Sequence, residues 1–203
     1  MRCARILPVL LGLAVLVSGA APASAQEVVG TATIEGRAVE LLSDRTWRYA
    51  VEDGCRDLGE GVSFCDAPEE WSRTQPPNAD IAASYRIGAR HYGQLVVEPV
   101  GTEDGLTPEL VREAVIENSA ASIDGTAEAV ETIETKPAEI DGRAAETIVY
   151  GLAFDDMEVV YANTVLLLPQ RTVQVVTYGI ASGYTDAHRA LHAEFVAHTK
   201  VSN

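Results

Sequence analysis

Three long strand patterns follow one another between residues 143 and 181, at 143–152, 157–168 and 172–181, parted by short turns at Asp155-Asp156 and Pro169-Gln170-Arg171. Turns that short join antiparallel neighbours, so the three segments predict an antiparallel meander. The middle segment runs through Val165, Leu166, Leu167 and Leu168, apolar at consecutive positions. A strand apolar on both faces must be covered on both, which places it inside a sheet with a layer above and a layer below.

The sequences on either side can supply those layers. Thr107, Pro108 and Glu109 read as a helix start, with a capping hydroxyl, proline at the first helical position and an acid in the first turn. The helix is expected to run to 122, with Leu110, Val111, Ala114 and Val115 as its inward stripe. Thr185 caps a second helix, expected to run to 200. Two further strands, 79–87 and 92–100, flank the turn Gly88-Ala89-Arg90-His91, and another spans 127–134 before the turn at Asp141-Gly142. The expectation is an α+β domain over 79–203, an antiparallel sheet with two helices packed on it, since about 120 residues suffice for one core.

Ahead of it, residues 28–50 alternate as a small β-meander with turns at Glu35-Gly36 and Ser43-Asp44. Trp47 and Tyr49 fall on one side of its last strand, where they either cap a small core or offer an aromatic platform to a sugar or peptide. Residues 51–78, with Cys55, Cys65, Trp71 and Pro76-Pro77, read as a disulfide-containing connector.

The element order over 79–203, with the strand Tyr92-Gly93-Gln94-Leu95-Val96-Val97-Glu98, the helix from Thr107 and the apolar strand pair ending in Thr177-Tyr178, resembles the α/β/α sandwich of PsbP-like proteins. The resemblance implies a non-enzymatic accessory or binding role and carries over no site residue.

Export is written at the start of the chain. Arg2 and Arg5 precede an apolar run over 6–17, and Ala23-Ser24-Ala25 supplies the small residues of a cleavage site, so residues 1–25 are expected to be a signal peptide. A run of about a dozen residues is too short to span a bilayer, so no membrane span is expected after cleavage. Cys3 lies before the run, which excludes the lipid-modified cysteine of a lipoprotein. Cleavage leaves 13 basic against 30 acidic residues, a net charge of −17. That charge repels phosphate backbones and anionic membrane surfaces, so nucleic acid is not an expected partner. It also leaves Cys55 and Cys65 as an even pair in an oxidising compartment, periplasmic or secreted, where a disulfide is the default.

Candidate chemistry is sparse. His188 and His192, four apart on the last helix, have the spacing that lets two imidazoles reach one metal. No glutamate follows His188 as it does in the metalloprotease helix, and on a helical wheel His198 falls near the apolar stripe of Tyr184, Leu191 and Phe195, with His188 and His192 flanking it. The segment 179–183 is not a nucleophile elbow, because Ser182 is not central between its glycines. Glu103-Asp104-Gly105 and Asp155-Asp156 lack the alternating oxygens of a calcium loop, and no phosphate-cradling or dinucleotide-binding glycine motif occurs, so no cofactor is expected. The reading is a non-catalytic secreted or periplasmic accessory protein that binds an unidentified envelope protein or small ligand, the alternative being a metal-binding or metal-dependent protein using His188 and His192. If the cysteines are bridged, non-reducing mass measurement should find the mature chain lighter by the two thiol hydrogens than its reduced form. Free thiols in the native protein would count against both the bridge and export.

Overall fold

The computed structural model describes residues 28–34, 37–49, 54–154 and 157–202; the expected signal segment lies outside them. The chain forms two compact units, Met1–Ala50 and Val51–Asn203.

The first unit carries β1 (Val28–Ile34), β2 (Arg37–Leu42) and β3 (Trp47–Tyr49), antiparallel in that order. Between β2 and β3 the Asp44 carboxylate accepts from the backbone N–H and hydroxyl of Thr46 at 2.9 and 2.6 Å, a side-chain turn that fixes the reversal. Val39 and Leu42 are buried, while Trp47 is half-exposed.

The second unit contains β4 (Cys55–Gly59), β5 (Val62–Cys65), β6 (Trp71–Thr74), β7 (Ile81–Ile87), β8 (His91–Glu98), α1 (Pro108–Ala121), β9 (Glu131–Ile140), β10 (Arg143–Phe154), β11 (Met157–Leu167), β12 (Thr172–Ile180), α2 (Asp186–Ala197) and β13 (Thr199–Val201). A seven-stranded antiparallel sheet runs β6-β7-β8-β12-β11-β10-β9, and a three-stranded one runs β13-β5-β4. The expected meander is β10-β11-β12, and Val165 and Leu166 on its middle strand are buried on opposite faces.

Period two sorts the large sheet into faces. On one, Leu95, Val173, Val175 and Leu166 pack with Phe195 of α2 and with Val62, Phe64 and Val201 of the small sheet. On the other, Ile148, Tyr150, Leu152 and Val165 pack under Val111 and Val115 of α1. Each helix begins where its cap was expected: the Thr107 hydroxyl accepts from Leu110 N–H at 3.3 Å, and that of Thr185 from His188 N–H at 3.2 Å. Arg112 Nη1 of α1 also donates to both oxygens of the Glu146 carboxylate of β10, at 2.7 and 2.9 Å. Among the described residues no helix is long and apolar enough to cross a membrane.

Several boundaries differ from the sequence reading. Residues 54–74 are not a connector but three strands of the same unit, with Phe64 and Trp71 in its core and Cys55 bridged to Cys65 across the β4–β5 pair. The strand expected at 127–134 begins at Glu131, after a short 3-10 turn, and continues through Pro137 to Ile140. Proline is tolerated there because β9 is the sheet's edge. The last helix stops at Ala197, because Thr199 and Val201 pair with β5 instead. Leu110 and Ala114 are exposed rather than inward, since each lies one position before Val111 or Val115 and is turned about 100° around the helix from the side that these two press onto the sheet.

Phe195 is completely buried at the centre of the α2 face, in contact with Phe64, Trp71 and Tyr85. Beneath it lies Gly93, where a Cβ would stand 2.5 Å from two carbons of the Phe195 ring. With the ring held on its other sides, Gly93→Ala should cost ~1–3 kcal/mol. A melting temperature several degrees lower is the expected readout, and an unchanged one would show that Phe195 can move aside freely.

Candidate functional site

Two polar clusters lie on opposite faces of the large sheet, one sealed under α2 and the other open beside α1.

The sealed cluster begins with Thr147, Thr164 and Thr177, threonines of β10, β11 and β12 that face α2. The Thr147 and Thr164 hydroxyls lie 2.7 Å apart. Thr164 Oγ1 is 2.7 Å from His192 Nε2, and Thr177 Oγ1 is 2.9 Å from His192 Nδ1 and 3.0 Å from His188 Nε2. His188 and His192 are 0% and 4% exposed, so they sit at the centre of the helix's inward face and not at its rim. His198, the C-cap of α2, instead bonds the Cys65 carbonyl at 2.7 Å.

Burial drives both imidazoles neutral: His188 falls to about 4, with His91 adding to the effect, and His192 to about 3, with His188 and Lys136 adding. A neutral imidazole has one donor and one acceptor, and a hydroxyl has one proton to give. Two proton arrangements satisfy the chain, and they differ at His188 Nδ1, buried without a partner. If His188 carries its proton on Nε2, that atom donates to Thr177, Thr177 donates to His192 Nδ1, and His192 Nε2–H donates to Thr164. The orphan at Nδ1 is then a lone pair. The reverse order strands a buried N–H, which is rarer and costlier, so the first order is favoured. The Thr177 hydroxyl bonds the two histidine nitrogens that a shared metal would need. At 2.9 and 3.0 Å from one oxygen they are hydrogen-bond partners, where zinc would need about 2.0–2.1 Å to each.

The open cluster lines a cleft of about 530 Å³ along α1, over β8, β12 and β11. A second, more apolar groove of about 420 Å³ is lined by Pro108, Pro137 and Ala145, and Val111 of α1 borders both. The sheet side of the larger cleft carries Gln94, Glu98, Asn163 and Gln174. Asn163 Nδ2 donates to Gln174 Oε1 at 2.8 Å, and Gln174 Nε2 donates to Glu98 Oε2 at 3.1 Å. That order is set by Glu98, because a carboxylate only accepts. Gln174 must turn its NH₂ toward Glu98 and its oxygen toward Asn163, and Asn163 must then offer its own NH₂ to Gln174. The Asn163 oxygen is left over. It is buried without a hydrogen-bond partner on a residue 2% exposed.

One row along, Tyr92, Tyr178, Tyr161 and Tyr150 stand in register on four adjacent strands, ring centroids 5.2, 5.1 and 5.1 Å apart. Burial pushes the phenols of Tyr150, Tyr161 and Tyr178 up, the last two helped by neighbouring tyrosines, so they stay protonated at neutral pH. Tyr150 and Tyr161 line the cleft.

Of the residues singled out from sequence, Cys55 and Cys65 meet in a bridge, and His188 and His192 meet in the sealed chain. Trp47 is exposed on β3 of the first unit; the Tyr49 side chain lies outside the described residues. The cleft residues went unnoticed. Their signal was polar side chains at inward positions of apolar strands, above all Asn163 between Tyr161 and Val165.

A pH titration tests the sealed chain. Unfolded histidine gains a proton as the pH drops through ~6.5, whereas folded His188 waits until about 4 and His192 until about 3. Their contribution is therefore complete above ~6.5 and is lost as the pH falls from there toward 4 and 3. The parent should lose a few kcal/mol more between pH 7 and pH 4 than His188→Leu with His192→Leu does. Equal losses would mean that the histidines are not held neutral.

No protein-family model and no curated protein sequence matches the chain. Among solved structures it is similar to PsbP (CyanoP) from Synechocystis sp. PCC 6803, at a TM-score of 0.52 and 15% identity over 70% of this chain and 87% of that one. A mutant of the protein Mog1 aligns at 0.49 and 10% identity, over 74% and 96%. LpqN of Mycobacterium tuberculosis, described as involved in cell envelope biogenesis, aligns at 0.39 and 10%, over 70% and 83%. The likeness to the cyanobacterial protein is one of fold: the chain has the PsbP-like α+β architecture.

Proposed function

On this PsbP-like scaffold, we propose an exported, non-catalytic accessory protein whose cleft beside α1 receives a small ligand or a side chain of an envelope partner. The observation that carries this reading is the buried, unpartnered oxygen of Asn163 in the cleft. A stranded acceptor costs ~1–3 kcal/mol, which a bound donor would recover. The groups around it suit holding more than proton transfer. Gln94, Asn163 and Gln174 are amides, and the phenols of Tyr150 and Tyr161 are held protonated. The imidazoles best suited to acid–base work, His188 and His192, are sealed under α2. A metal at those histidines is supported by their spacing alone, and it would have to displace the Thr177 hydroxyl from both.

Export would show as a mature mass beginning at Gln26. Binding is tested with small alcohols, amines, sugars and carboxylates, followed through the side-chain amide signals of Gln94, Asn163 and Gln174. At least one class should give saturable shifts. Ala114→Trp, on the exposed lip of α1 that lines the cleft, should weaken that binding at least about tenfold with little change in melting temperature. Absence of any saturable shift, or turnover of a substrate abolished by one substitution, would overturn the proposal.

A further inference from the structure

We propose that the cleft selects a cation, a primary ammonium or guanidinium group carried on an apolar stem. This rests on the binding role above and names the chemistry that fills the same site.

The selection follows from how the protons are distributed. Gln174 spends its oxygen on Asn163 and its NH₂ on Glu98, so neither of its ends is left for a guest. What remains at the two ends of that relay is the Asn163 oxygen, unpartnered, and the rest of the Glu98 carboxylate. Both are acceptors. A guest that pairs with this relay must therefore donate, and one that carries positive charge is favoured beside the carboxylate. Among the described residues Glu98 is the sole charged side chain that lines the cleft, with no lysine, arginine or histidine beside it there. An anion would meet an uncompensated carboxylate and a bare oxygen. A neutral alcohol has one proton to give, enough for Asn163 or Glu98 but not for both.

The walls determine what carries the head group. Val111, Val115 and Val176 line the cleft with half-exposed Leu110, an apolar path for a stem of several methylenes. Tyr150 and Tyr161 add aromatic surface to the same wall, their faces stacked within the tyrosine row. The chain's formal charge of −15 also raises the local concentration of cations. Asn163 makes this more than one acidic residue on an acidic protein: it is an amide 2% exposed whose oxygen has no partner until a donor arrives.

Three probes that share a six-carbon stem separate the possibilities: n-hexylamine, 1-hexanol and hexanoate, titrated into the full-length mature protein and followed through the side-chain amides of Asn163 and Gln174. Hexylamine should bind at least about tenfold tighter than hexanol, hexanoate weakest, and added salt should narrow the gap. Glu98→Gln keeps an oxygen for Gln174 to donate to, so the relay survives while the charge is lost. This variant should weaken hexylamine about tenfold and leave hexanol within about threefold. A blocked Ala-Lys-Ala peptide separates the sources of the same head group. If it binds tighter than hexylamine, a partner's side chain is the guest; if weaker, a free amine is, and either result supports the cation site. Hexanol binding as tightly as hexylamine, or no effect of Glu98→Gln, would overturn cation selection and leave a binding cleft of another specificity. If none of the probes shifts the cleft signals at saturation, the cation site is overturned, and the binding role stands or falls on the broader set of compounds described above.

Discussion

The pairing of β11 with β12 runs without a bulge from Val159 opposite Ile180 to Leu167 opposite Thr172, and the rest of the second unit depends on it. Side chains alternate between faces at every step, so this register decides which ones meet α1 and which meet α2. It places Tyr161 beside Tyr178 and Asn163 beside Val176 on the cleft face, with Thr164 beside Val175 and Ala162 beside Thr177 on the other. A slip of one residue would carry the tyrosines under α2 and expose the threonines that hold its histidines. Paired with β10 and β8, the same strands extend the tyrosine row across four strands.

The two faces treat polar groups differently because one is sealed and the other is not. Under α2 a hydroxyl or imidazole has no water to turn to, so each must find a partner in the protein. The chain from His188 through Thr177, His192 and Thr164 to Thr147 meets that need except at one nitrogen lone pair. It also fixes the helix in rotation, because each imidazole reaches its threonine from one angle only. Along α1 the helix bears on the β10 side through Val111, Val115 and Arg112, and Gln94, Glu98 and Gln174 on β8 and β12 remain partly exposed beside buried Asn163 of β11.

The small sheet closes the α2 face from the far side. Phe64 of β5 contacts Trp71, Tyr85 and Phe195, and the Cys65 N–H donates to the His198 carbonyl at 2.8 Å just past α2. The disulfide therefore staples a layer of the core and not a peripheral loop. Gly93 completes the arrangement from the sheet side, since the absence of its Cβ is what lets the Phe195 ring approach so closely.

Much of this was legible in the chain. The meander over 143–181, the buried middle strand and the two capped helices follow from local rules, because alternation, capping hydroxyls and turn residues act over a few positions; the disulfide followed from an even cysteine count in an exported chain, and the PsbP-like order was a resemblance. Residues 199–201 escaped that reading because they pair with β5, far back along the chain, and residues 54–74 because the core that buries Phe64 and Trp71 is completed by distant residues such as Phe195 and Val201. Nor could the helical wheel place His188 and His192. It ranks residues by polarity, and their burial depends on three threonines that only sheet pairing brings beneath the helix. The same holds for the cleft. Sequence determined that Asn163 and Gln174 sit on strands, but the orientation of their amides, and with it the buried oxygen left without a partner, was decided by Glu98 on a third strand, because hydrogen-bond direction passes only between groups that the fold has already put in contact.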